Sequence, residues 1–194
     1  MKQILGLDPG SVNFGLTVLN YDGKKKFKVV HCLMVDKTLR DMKTGVRKQL
    51  HAYYTTIRKY SDGVDHVVCE RFQNRGIRGG GSTSETINAM IGVLHTTHKD
   101  VMMITASLWK NASRRVHDLD LFYKTCAVPP HVVDSAMIAL YRAQIENEEK
   151  PFSGWSSQDF KKLRSQIEKS YGRKNKLRGI RDFKRFDSTW KKSF

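Results

Sequence analysis

The chain has 194 residues, 39% of them hydrophobic, and carries 35 Lys+Arg against 19 Asp+Glu, a formal net charge of +16. That size suits one domain with a real core, and that charge points to a polyanionic partner, nucleic acid ahead of an anionic membrane surface. No apolar run nears the ~20 residues that span a bilayer, and the N-terminal apolar run is too short for a signal peptide. The three cysteines are far apart, without a Cys-x-x-Cys pair, which argues against a disulfide framework or a cysteine zinc site and for a reducing, cytoplasmic setting.

In chain order, KQILGLD and NFGLTVLN read as strands joined by Asp-Pro-Gly-Ser-Val, and 26–35 as a third strand entered from the turn Tyr21-Asp22-Gly23. Short turns between three consecutive strands predict an antiparallel meander. Leu39, Met42, Val46, Leu50, Tyr53, Tyr54 and Ile57 recur every three or four residues, so 39–60 is predicted helical, ending at Asp62-Gly63. DHVVCE, 65–70, is a short strand stopping on an acid, and the loop RFQNRGIRGGGS follows. Ser82-Thr83-Ser84-Glu85 has capping-box spacing and predicts a helix starting near Thr83. Residues 101–106 form a fifth strand candidate, 117–125 a short helix, and Pro129-Pro130 open a last core helix, since proline is tolerated in a first turn. Cys32 and Cys69 lie inside apolar runs and read as small core residues.

The composition shifts near residue 148, dividing the chain into a core domain, 1–148, and a basic C-terminal extension, 149–194. Residues 151–194 hold 13 Lys+Arg and four Asp+Glu. A short helix near 157–170 is expected within it. Aromatics among the charges suggest a nucleic-acid arm as much as a solvated one, and Trp155 and Trp190 are read either as base-stacking groups or as anchors onto the core.

Three antiparallel strands, a helix, a strand, a helix, a strand and later helices is the order of the ribonuclease-H-like fold. The expected architecture is therefore α/β: a five-stranded mixed sheet, three antiparallel strands then parallel ones, flanked by helices. Strand one would be central with strand four parallel beside it, so Asp8 and Glu70 would end neighbouring strands on one edge. The helix opening near Pro130 would bring His131 and Asp134, three apart on one face, toward them. Taken singly each residue has a plainer reading: Asp8 as a turn former, Glu70 as an exposed strand end, Asp134 as a cap or arginine partner, His131 as a surface residue. Together the three carboxylates would repel one another without a cation, and an oxygen-rich cluster suits Mg²⁺ or Mn²⁺, with two ions serving phosphodiester hydrolysis.

The stretches ILGLDPGSVNFGLTVL, VVCERF and PPHVVDSAMIALYRA together resemble the RuvC family of Holliday-junction resolvases, over roughly residues 1–146. The resemblance implies metal-binding roles for Asp8, Glu70, His131 and Asp134. It also implies a homodimer paired through helix 83–98, where Ala89 and Gly92 permit close approach. The expected activity is paired, Mg²⁺-dependent nicking of four-way DNA with 5′-phosphate ends. Phe72 is the counterpart of an aromatic near the junction centre, offset by about one position, and Lys110, with Arg114 and Arg115 as rivals, of a phosphate-handling base. Arg71, Arg75 and Arg78 are further candidate DNA contacts. The Arg- and Gly-rich loop at 74–81 and the basic extension depart from the usual bacterial pattern and suggest a divergent, phage-type member. Rival readings are an RNA-processing nuclease of the same superfamily and a non-catalytic nucleic-acid-binding protein. An actin-like phosphate loop at GLDPGSVNFGL would need a second such domain, for which 194 residues are too few.

Overall fold

The central strands are buried on both faces, so each can be read as two lists of residues, one for each face of the sheet. In the computed structural model, which describes residues 1–10, 14–35, 45–71, 81–98, 100–114 and 119–178, five strands form one sheet. They are β1 (Lys2–Asp8), β2 (Phe14–Tyr21), β3 (Phe27–Val35), β4 (His66–Arg71) and β5 (Val101–Thr105), in the order β3-β2-β1-β4-β5. β1 is central, antiparallel to β2 and parallel to β4, and β5 extends the parallel side. This is the expected mixed sheet.

Successive residues of a strand point to opposite faces. Leu5, Leu7, Phe14, Leu16, Val18, Val67 and Cys69 belong to one core cluster, beneath α1 (Gly45–Ser61) and α2 (Gly81–Thr97), which supply Tyr53, Ile57, Met90 and Leu94. Ile4, Leu19, Tyr21, Val68 and Ile104 belong to the other, beneath α5 (Pro130–Glu146). Gly6 and Asp8 therefore share the α5 face with Ile4, and Glu70 shares it with Val68. Cys32 and Cys69 are buried in the core, as expected.

Two glycines let α5 lie directly on this face. A Cβ on Gly6 would stand 2.3 Å from the Ser135 carbonyl oxygen and 2.8 Å from Ala139. One on Gly15 would stand 1.8 Å from the His131 carbonyl oxygen. Between them Thr17 and Ser135 share a buried 2.8 Å hydroxyl contact, and Ser135 Oγ also donates to the Val132 carbonyl.

Helix α1 ends at the expected place, where Gly63 takes φ +75, while the expected 39–44 lies outside the described residues. α2 begins at Gly81, two residues before Thr83. A helix that the sequence reading did not assign, α3 (Ala106–Ser113), follows β5 directly, and α4 (Leu119–Thr125) is the expected short helix.

α6 (Ser157–Arg178) is longer than the helix expected near 157–170. It buries Phe160, Leu163 and Ile167 in the cluster that contains α5, beside Phe152 and Trp155. Trp155 thus anchors to the core, stacked on Phe27 with ring centroids 5.5 Å apart. The helix also seals the outer edge of β3. The Gln166 side chain accepts from the Val29 N–H and donates to the Phe27 carbonyl, and Ser170 Oγ donates to the Val30 carbonyl. A free edge would otherwise expose unpaired backbone groups.

Candidate active site

β1 and β4 run parallel with Leu7 opposite Cys69, so Asp8 and Glu70 lie one step further along, on the same edge and the same face. Asp8 is only 5% exposed and pairs across β2 with Gly15, the residue on which the start of α5 rests. Pro130 sits in the first turn of α5, where its missing N–H is no loss. That first turn holds His131, and the next holds Asp134.

The three acids sense one another. Burial, then the charge of Asp8, pushes the Glu70 carboxyl above its ordinary range, against the opposing pull of the Trp109 indole and Lys110. Burial likewise raises Asp134, opposed by its bonds to Tyr123 and Lys110. Such shifts follow when carboxylates share a partly dry site. His131 Nδ1 lies 2.7 Å from Asp8 Oδ2, and that hydrogen bond is the main cause of its raised affinity for a proton. Lys110, from α3, reaches Asp134 Oδ2 at 3.3 Å and lies over the Trp109 ring.

Two residues that the sequence reading did not single out join the cluster. Trp109, fully buried in α3, donates from Nε1 to Glu70 Oε2 at 2.7 Å. Tyr123, from α4, donates from its hydroxyl to Asp134 Oδ1 at 2.6 Å. Burial and the Asp134 charge push the Tyr123 phenol far above its usual range, so it remains a donor. An aromatic with a polar tip in a helix is an ordinary core residue by sequence. Only the tertiary packing of α3 and α4 against the acids shows otherwise.

Asp8, Glu70, His131, Asp134 and Lys110 are therefore brought together as the sequence reading expected. Arg71, the last residue of β4, and Arg114, at the end of α3, are both exposed. Phe72, Arg75, Arg78 and Arg115 lie outside the described residues.

Among the described residues no three His, Cys, Asp or Glu side chains stand close enough to hold a metal ion as placed. The donor chemistry nevertheless fits a hard divalent cation. Three carboxylates supply oxygen ligands of the type Mg²⁺ and Mn²⁺ take, gathered at the ends of β1 and β4 and the start of α5.

No family model and no curated protein matches the sequence. Solved structures do. Thermus thermophilus RuvC aligns with a TM-score of 0.60 at 14% identity, over 77% of this chain and 98% of that one. The same organism's RuvC in complex with Holliday junction substrate aligns with a TM-score of 0.58 at 17% identity, over 76% of this chain and 97% of that one. The chain has the RuvC fold. The yeast mitochondrial Holliday junction resolvase Ydc2 is also similar, with a TM-score of 0.55 at 12% identity, over 87% of this chain and 84% of that one. The ribonuclease-H-like architecture read from the element order is thus this chain's fold.

Proposed function

We propose that this chain is a metal-dependent endonuclease that cuts branched DNA, four-way junctions foremost, by hydrolysing phosphodiesters to 5′-phosphate ends. The observation that carries the reading is the meeting of Asp8, Glu70 and Asp134 at one edge and face of a RuvC-fold sheet. Proteins solved with this fold include a RuvC with Holliday junction substrate and a yeast mitochondrial Holliday junction resolvase.

Asp8, Glu70 and Asp134, with His131 beside them, would hold the Mg²⁺ or Mn²⁺, two ions in the complete site. When bound, the metal supplies Lewis acidity at the scissile phosphate and at the leaving 3′-oxygen. The protein's own part is positional. The rigid ends of β1 and β4 fix two acids, and α5, pressed onto Gly15, fixes the third. Lys110 is close enough to exchange Asp134 for a phosphate oxygen. Arg71 and Arg114, and beyond the described residues Phe72, Arg75, Arg78 and Arg115, would meet the DNA. Paired nicking calls for two copies, which we place back to back through α2. Its outward residues Glu85, Asn88, Gly92 and His95 are exposed, and a Cβ on Gly92 meets nothing within 4 Å in this chain.

A cleavage panel tests the proposal, comparing a four-way junction, a three-way fork, a flap, a linear duplex and an RNA duplex, each with Mg²⁺ or EDTA. Junction cleavage that EDTA abolishes is expected, together with a particle near twice 22.3 kDa by light scattering. Asp8→Asn, Glu70→Gln and Asp134→Asn should bind the junction without cutting it. Mutants that still cut with Mg²⁺ would sink the metal site. Preferred cleavage of the RNA duplex would make the chain an RNA nuclease, and binding without any cleavage would make it a passive binder.

A further inference from the structure

Each acid of the site is held in the same way. Asp8 accepts from the His131 ring through Oδ2, Glu70 from the Trp109 ring through Oε2, and Asp134 from the Tyr123 ring hydroxyl through Oδ1, at 2.7, 2.7 and 2.6 Å. Three ring donors from three different helices thus take one oxygen apiece. Of the second oxygens, Asp134 Oδ2 meets Lys110, while Asp8 Oδ1 and Glu70 Oε1 accept no hydrogen bond among the described residues.

A buried indole N–H needs an acceptor, and any backbone carbonyl would satisfy it. Trp109, with no exposed surface, takes a carboxylate instead. Trp109 and Tyr123 are also neutral donors. They fix a carboxylate's rotation without supplying the positive charge that would compete with a cation, as the Lys110 ammonium does. Outer partners that orient metal ligands are worth roughly 10–100-fold in metal affinity.

We infer that Trp109 and Tyr123 are positioning residues that, with His131, form an aromatic cradle gripping one oxygen of each acid, turning Asp8 Oδ1 and Glu70 Oε1 to a divalent cation and Asp134 Oδ2 to the place where the cation would take over from Lys110. The inference rests on the proposed function, because it needs a metal to be bound there.

The lead variant is Tyr123→Phe, which removes a single oxygen atom and keeps the ring, with Trp109→Phe as the second. Mn²⁺ uptake by the full chain is measured by electron paramagnetic resonance, alongside melting temperature, junction affinity in EDTA and nicking across a Mn²⁺ titration. Tyr123→Phe is expected to melt close to wild type and to bind the junction equally well in EDTA. Its Mn²⁺ affinity should fall by roughly 10–100-fold, and its nicking should recover at saturating Mn²⁺, which a general structural lesion would not allow. Unchanged Mn²⁺ affinity, or a rate loss that saturating metal does not restore, overturns the inference while leaving the nuclease reading intact. Wild-type chain that takes up no Mn²⁺ overturns both. Should Trp109→Phe fail to fold, Tyr123→Phe decides alone.

Discussion

Replacing Gly15 by alanine should damage the site from outside it. The new Cβ would stand 1.8 Å from the His131 carbonyl oxygen and 2.4 Å from its carbon, both backbone atoms that no rotamer change can move. To restore even the tightest tolerable separation of 3.0 Å, the start of α5 must retreat by about 1.2 Å. That retreat carries His131 with it and stretches its 2.7 Å bond to Asp8 by as much as about 1.2 Å, toward the limit of hydrogen-bonding range. Asp134, on the following turn, moves by a similar amount. Overpacking of this kind costs about 1–3 kcal/mol of stability, and a displacement near 1 Å costs about 10²-fold in rate. Urea unfolding and junction nicking at saturating Mg²⁺ measure the two effects separately. Gly172→Ala is the control, because a Cβ there meets nothing within 4 Å, and it should leave both unchanged or raise stability slightly. If Gly15→Ala nicks within threefold of wild type, the close approach of α5 to β2 does not set the site and the reasoning fails.

The remaining expectations concern the rest of the fold. The Tyr21 phenol is raised to about 12, first by burial and then by its bond to Glu149, so the folded chain keeps that proton longer than the unfolded chain does. Its contribution is whole below pH ~10 and is lost between ~10 and ~12. Urea unfolding followed across that range should show a decline that Tyr21→Phe flattens, and parallel curves would remove Tyr21 from the account. Leu163→Ala should lower stability by about 2–5 kcal/mol, as for a core leucine, because the side chain is fully buried; a loss below about 0.5 kcal/mol would mean that α6 is only loosely attached. Ending the chain after residue 178 should preserve the melting temperature and flatten the salt dependence of junction binding by about 0.9 for each phosphate no longer neutralised. An unchanged slope would leave 179–194 without a role in binding.

The acids were legible because their signals are local. Asp8 and Glu70 each terminate an apolar run, and His131 and Asp134 follow a Pro-Pro pair that announces a helix. The element order then supplied the edge on which they meet. Trp109 and Tyr123 carry no such local mark. Their role depends on α3 and α4 folding back over the α5 face, a long-range arrangement to which residue spacing is blind. α3 itself was missed because it is only eight residues long and follows β5 with no intervening loop. In α6 the stripe Phe160, Leu163, Ile167 has helical spacing, but 13 basic residues around and beyond it make the stretch read as a basic arm, for nucleic acid or for solvent. Gly6 and Gly15 carry no mark of their own in the strand patterns. Their purpose lies in the helix that rests on them, which only the packed structure displays.

The bonds by which α6 seals β3 also fix the direction in which the helix points. Lys25, at the turn before β3, pairs with Asp159, while Val29 bonds to Gln166 and Val30 to Ser170. The contacts advance together, from Val29 to Val30 along the strand as from Gln166 to Ser170 along the helix, so the two run side by side in the same sense. Carried on to Arg178, the helix extends toward the last residues of β3, whose Val35 pairs with Phe14, next to the Gly15 that pairs with Asp8. The described end of the helix is thereby brought toward the margin of the sheet that carries the acids. A helix that begins by closing an edge strand thus finishes on the border that holds the groups proposed to cut a phosphate backbone.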